Sequence, residues 1–191
     1  MDNPALICDK IFDKTDFTLN ALEKGDYENC TFKSCDFSNS ILSAIKFTGC
    51  TFSDCNLSMA KLHKTSFRDA RFNGCKLLGL RFENCHEFLF SVGFEDCNLN
   101  LSSFLKMKLK QTHFKHCTLR ETDFTQADLT AAVFDDCDLS RATFENSVLE
   151  KADLRSSYLY SIDPEKNRIK KAKFSRAGIA GLLDKYDIEI E

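Results

Sequence analysis

Ten cysteines and four histidines are the side chains of this 191-residue chain most able to do chemistry. Such residues bind zinc when they converge, and a thiol beside an imidazole can become a nucleophile. The spacing argues against both. Cys35, Cys55 and Cys75 recur at every twentieth position, and so do Cys97, Cys117 and Cys137. If that interval is one coil of chain, these thiols form a column of parallel side chains, which cannot close on a metal. Coils stacked at an interstrand spacing of ~4.8 Å also hold them beyond the ~3.8 Å Cβ separation of a disulfide. They read as small apolar groups filling a narrow interior. His63, His86, His113 and His116 fall on different coils, and His116 points outward where Cys117 points inward. There is no glycine-rich phosphate loop. No catalytic, cofactor-binding or metal-binding residue is assigned, and the chain is read as a binding protein and not an enzyme.

A five-residue frame positions these side chains. Counting in fives from Phe12 to Phe82, and again from Phe94 to Leu159, every residue is Phe, Leu or Tyr. A period of five fits neither the 3.6-residue helix nor the two-residue strand. The chain must therefore turn a corner every five residues and send one large side chain inward each time. Two residues earlier stands a small or thiol-bearing residue (Cys30, Cys35, Ala60, Thr65, Cys117, Ala127), and the remaining positions are mostly polar. Because the thiols repeat at every fourth pentapeptide, four pentapeptides close one square coil. One wall reads Phe12, Phe32, Phe52, Phe72, Phe94, Phe114, Phe134, Leu154. From Phe94 to Leu149 the inward residues alternate Phe and Leu, so opposite walls carry Phe. The expected fold is an all-β solenoid of about eight coils, ~40 Å long at the interstrand spacing.

The solenoid is expected over residues 1–179, with a modified last coil at 160–179 in which the frame continues through Pro164, Ile169, Phe174 and Ile179. Residues 180–191 read as a short helix followed by an Ile188-Glu189-Ile190 strand. Open solenoid ends expose apolar core and unpaired backbone. Leu182, Leu183, Tyr186, Ile188 and Ile190 are the candidate cap and, through an end-to-end contact, the candidate homodimer interface.

The frame slips once. Between Phe82 and Phe94 the chain is two residues longer than two repeats, so one wall must bulge at 83–93. Phe88 or Leu89 is expected to take the inward place there. Leu78, Leu101 and Leu105 occupy outward positions on adjoining walls, and with Phe88, Leu89 and Phe90 they form a candidate apolar patch for a partner.

Composition narrows the setting. The N-terminus has no basic segment followed by an apolar run, and no stretch approaches the ~18 apolar residues of a membrane span. Ten cysteines without a secretion signal imply reduced thiols, hence a cytoplasmic location. The net charge of −3 lacks the basic footprint of a nucleic-acid binder. Locally, residues 161–176 carry six basic and two acidic groups, a basic collar near the C-terminal end.

The small-polar-large-polar-polar frame is identified as that of the pentapeptide-repeat family, and the resemblance implies a right-handed quadrilateral β-helix. Within the family the chain most resembles the Qnr-type proteins that protect DNA gyrase from quinolones. Asp9-Lys10-Ile11-Phe12, Tyr27-Glu28-Asn29-Cys30-Thr31-Phe32-Lys33-Ser34-Cys35-Asp36-Phe37-Ser38 and Ser161-Ile162-Asp163-Pro164 are similar to theirs in order and spacing. Two protruding loops known in one branch have no counterpart: the frame runs straight through Ser53-Asp54 and gains only two residues at Cys85–Gly93. The resemblance implies a rod-shaped, DNA-mimicking homodimer docking on gyrase or another type II topoisomerase. The stripe that would mimic phosphates is Asp54, Glu95, Asp96, Asp135, Asp136 and Asp153 along the first Phe wall. The alternative is a rigid interaction scaffold with an unrelated cytosolic partner. In that reading, the collar at 166–176 is expected to pair with Asp187, Glu189 and Glu191 of a second subunit.

Overall fold

A computed structural model describes residues 5–189. They form a quadrilateral β-helix whose strands are all parallel. Along the first wall lie seven hydrogen-bonded strands: Ile11–Asp13, Thr31–Lys33, Thr51–Ser53, Ala70–Asn73, Val92–Glu95, His113–Lys115 and Val133–Asp135. Single bridges carry the wall on through Val133↔Asp153 and Asp153↔Lys173. The fourth wall opens with a four-stranded sheet of Ala5–Cys8, Gly25–Glu28, Lys46–Thr48 and Ser66–Arg68. Partners stand four pentapeptides apart, as in Phe12↔Phe32 and Phe114↔Phe134, and the slip lengthens that interval by two at Phe72↔Phe94.

This register puts like on like inside the rod. On the first wall Phe32 and Phe52 stack with ring centroids 4.8 Å apart, Phe52 and Phe72 at 4.9 Å, and Phe72 and Phe94 at 5.4 Å. On the third wall Phe82 stacks on Phe104 at 4.6 Å, and Phe104 on Phe124 at 5.4 Å. Edge contacts such as Phe94–Phe104 at 6.0 Å cross the interior. These offset and edge geometries suit the ring quadrupole and add to the burial of each aromatic.

The corners have their own device. Two residues after most inward residues the backbone enters the left-handed region, as at Asn29, Ser34, Asn39, Asp54, Asp96, His116, Asp136 and Asn146. Asn and Asp tolerate that conformation best among residues with a Cβ. Where the corner is also crowded, glycine is required. Gly74 has φ +63° and a Cβ there would lie 2.6 Å from Asp54 Oδ1.

Three expectations about the frame are corrected. Leu159 does not point inward: it is 68 % exposed, while Tyr160 is 4 % exposed and takes its place. The left-handed corner expected at Ser156 is missing and appears at Leu159, so the chain turns three residues late. Ile179 is likewise exposed, and the inward phase ends at Phe174, which packs on Tyr160 at 5.7 Å. The expected C-terminal helix is two 3-10 segments, Ala177–Leu182 and Asp184–Tyr186, since Gly178 and Gly181 disfavour a regular α-helix. No strand forms at Ile188 or Glu189, and Ile190 lies outside the described residues.

Candidate functional site

The thiols come first because they looked most reactive. All ten cysteines are free, and Cys8 alone among them is exposed. Inside the column most sulfurs donate to a carbonyl of the coil below: Cys55 to Phe32 O at 3.3 Å, Cys75 to Phe52 O at 3.4 Å, Cys97 to Phe72 O at 3.3 Å. Ser157 continues the column, donating to Phe134 O at 2.9 Å, which shows the position wants a small weak donor and not a nucleophile. Burial pushes the Cys50 thiol up to about 11, and the adjacent Cys55 thiol together with burial pushes Cys75 up to about 12. At neutral pH such groups stay protonated and unreactive. Alkylation of the native protein is therefore expected to stop at Cys8, with all ten thiols reacting only in denaturant; mass spectrometry of the labelled chain checks this. His116 turns away from Cys117 and meets Asp96 at 3.2 Å on the surface. Among the described residues no three His, Cys, Asp or Glu converge to hold a metal ion.

The acidic stripe is compensated in part. Lys115 Nζ lies 2.6 Å from Glu95, and Asp96 faces His116. Asp153 is bracketed by Arg155 at 2.8 Å and Lys173 at 3.4 Å, and the Arg155 contact holds its carboxyl down to about 2. Asp135 accepts the Ser156 hydroxyl at 2.9 Å, and Asp54, Asp135 and Asp136 are all exposed and in no ion pair among the described residues. The stacking that aligns acids coil upon coil aligns cations beside them by the same register. Part of the basic collar shows this too, pairing within the chain. Lys166 pairs with Glu145 at 3.2 Å and Arg168 with Glu150 at 2.6 Å, both acids of the preceding coil.

At the C-terminal end the 3-10 segments fold back over the last coil. Ile162 N donates to Gly181 O at 2.8 Å, Leu182 packs on the core, and Lys185 reaches Asp163 at 2.8 Å and Glu165 at 2.6 Å. Leu183 is half-buried, whereas Tyr186 and Ile188 remain exposed.

The slip carries the most open apolar groups of the mid-rod. Phe88 is 62 % exposed and Leu89 60 %, so neither takes the inward place. Phe90 does so in part, meeting Phe82 at 6.3 Å in an edge contact. The reason is the anchoring of the bulge. His86 N donates to Thr65 O at 2.8 Å and Ser91 N to Phe67 O at 3.1 Å, which tie its two ends to the coil below. Leu89 holds the left-handed turn at the tip, φ 58°, and Phe88 lies against Arg68, whose guanidinium carbon is 5.5 Å from the ring centroid. Leu101 and Leu78 are exposed at the corner that follows the second wall, apart from the slip on the fourth, and Leu105, after the third wall, is half-buried. Met59, which sequence reasoning missed, joins them: it is exposed, and its sulfur lies 2.6 Å from where a Gly79 Cβ would stand. Met59 holds the left-handed corner position, a signal present in the repeat frame but hidden among polar corners.

Residues 25–87 and 87–182 match the family model described as Pentapeptide repeat region. A trypsin-treated form of QnrB1, a plasmid-mediated fluoroquinolone resistance protein, is similar at 20% identity and a TM-score of 0.61, over 98% of this chain and 100% of that one. HetL, a pentapeptide repeat protein involved in heterocyst differentiation regulation in the cyanobacterium Nostoc, is similar at 16% identity and a TM-score of 0.51, over 88% and 86%. At these identities the likeness shows the fold, including its right hand, since a coil of opposite hand would not superpose along the rod. No curated protein matches the chain.

Proposed function

The chain belongs to the pentapeptide-repeat family, and from that premise we propose that it is a non-catalytic, rod-shaped protein-binding scaffold of the cytoplasm whose partner docks at the slip. The observation that carries this reading is the exposure of Phe88 and Leu89 on a bulge anchored at both ends. A soluble protein gains nothing from holding such side chains in water, whereas a partner would bury them. The rod is further proposed to pair end to end through Leu182, Leu183, Tyr186 and Ile188.

The test is a double substitution, Phe88→Ser with Leu89→Ser, followed by crosslinked capture of partners from the native cytosol. Capture is expected to fall sharply while stability stays within about 1 kcal/mol of the parent, the scale of one cation–π contact. Undiminished capture would sink the reading. Phe90 is left intact because its contact with Phe82 makes it part of the core.

A finer reading, a DNA mimic docking on gyrase or another type II topoisomerase, is supported by the likeness to QnrB1. The cations beside Glu95 and Asp153 weigh against it, because a mimic needs uncompensated negative charge. It predicts dose-dependent relief of quinolone poisoning with purified gyrase; no relief and no low-salt binding would remove it.

A further inference from the structure

The charge around the slip differs in sign from that of the whole chain. Segments 61–69, 81–91 and 104–110 hold seven Lys or Arg against three acids, +4 in a chain whose total is −3. The fold brings the three together. Lys64 N donates to Asn84 O at 2.8 Å, which seats the start of the bulge on the coil below. Stacking of Phe82 on Phe104 at 4.6 Å sets the 104–110 segment over it from the coil above. Outward Lys61 and Lys64 therefore stand on the coil below the bulge, and outward Lys106 and Lys108 on the coil above it, with Arg68 against the Phe88 ring.

The carboxylates of this region are already engaged or few. Glu83 is held by Arg81 at 2.8 Å, Asp69 accepts the Ser91 hydroxyl at 3.0 Å, and Glu87 remains. Lys110 is paired with Asp128 at 3.2 Å. Among the described residues Lys61, Lys64, Arg68, Lys106 and Lys108 take part in no ion pair. The coils on either side of the bulge thus bring five cations without carboxylate partners to the neighbourhood of an apolar tip.

We infer that this face binds an acidic protein segment carrying apolar side chains, its carboxylates meeting Lys61, Lys64, Lys106 and Lys108 while its apolar groups cover Phe88 and Leu89. The inference rests on the scaffold reading above and supplies the partner's chemistry. Charge complementarity selects the acidic partner and speeds encounter, and apolar burial holds it. A protein segment fits better than a nucleic acid. Bases stack on aromatic faces, but the Phe88 ring already lies against Arg68, and Leu89, Leu105 and Leu101 are aliphatic.

Fluorescence anisotropy with labelled probes on the full chain tests this. The probes are a short peptide mixing Asp and Glu with Leu and Phe, its counterpart with Asn and Gln for the acids, and a single-stranded oligothymidylate. The acidic peptide is expected to bind at least ~10-fold tighter than the neutral one at low salt, with the advantage shrinking as salt rises. Lys106→Glu with Lys108→Glu, both exposed and outside the core, is expected to erase that advantage without changing the melting temperature. Equal binding of the neutral peptide, no measurable binding of either, or preference for the oligonucleotide would overturn the inference. The scaffold reading fails separately, if the Phe88→Ser, Leu89→Ser variant still captures partners; capture lost with those substitutions but indifferent to charge reversal overturns the acidic partner alone.

Discussion

Phe72→Asp abolishes folding: the variant is expected to be recovered without the β-sheet circular dichroism of the parent and without a cooperative melting transition. Phe72 is fully buried and sits in the first-wall stack between Phe52 at 4.9 Å and Phe94 at 5.4 Å, with Phe67 edge-on at 5.5 Å. Losing a buried phenylalanine costs about 3–5 kcal/mol through lost contacts and the cavity left behind. The interior there is aromatic, and it offers a carboxylate neither cation nor water, so burial adds several kcal/mol more or forces protonation. Whole domains are stable by only about 5–15 kcal/mol, so the sum is decisive. Because each coil packs only on its neighbours, the damage also separates the coils on either side. Phe72→Leu is the control. Leu154 fills the same wall two residues after Ala152, and that substitution is expected to leave a folded rod with a modestly lowered melting point. A folded Phe72→Asp variant with parental melting would mean the first wall is not the core.

The second large effect is expected at a residue with no side chain. A Cβ on Gly181 would lie 2.1 Å from Tyr160 O, a backbone atom that cannot swing aside. Gly181→Ala must therefore push the 3-10 segment off the last coil, breaking the Ile162 N to Gly181 O hydrogen bond and baring Tyr160 and Ile162. Overpacking of this kind costs about 1–3 kcal/mol, and here the cheapest relief is local detachment. The variant is expected to gain dye-accessible apolar surface, lose any end-to-end dimer in sedimentation, and aggregate, as would a chain lacking residues 180–191. An unchanged sedimentation profile and unchanged dye binding would show that the segment is not what closes this end.

Much of this fold could be read from residue types because the period of five is written in the largest side chains. Phe12 to Phe82 and Phe94 to Leu154 point inward as the frame requires, and the even spacing of Cys35, Cys55 and Cys75 correctly gave four walls. What failed was direction near the end. Leu159 has the right type and count, yet the corner before it is missing, and a count of types cannot see a missing corner. At the slip, periodicity located the bulge but could not choose among Phe88, Leu89 and Phe90; hydrogen bonds at His86 and Ser91 made the choice. The acidic stripe was visible as a column, with Lys33, Lys115 and Arg155 interrupting it, whereas the pairing of Lys173 with Asp153 depends on side-chain reach across coils. The unmatched lysines were hidden most deeply. Lys61, Lys64, Lys106 and Lys108 meet only once the lengthened register across the slip, which sets Phe72 opposite Phe94, is known.

Seen from the first and third walls the slip does not exist. The Phe72–Phe94 and Phe82–Phe104 stacks pass it without a gap, and the extra residues are gathered between two fixed posts, at Asn84 and Ser91. Lengthening the segment between those posts would cost chiefly loop-closure entropy, about 0.6 kcal/mol for each doubling. The rod thus has a socket: sequence can be exchanged or extended at Glu87–Leu89, provided Phe90 keeps its place against Phe82. What the protein recognises and what keeps it folded can change independently, which a more compact domain, with its loops packed on its core, does not allow.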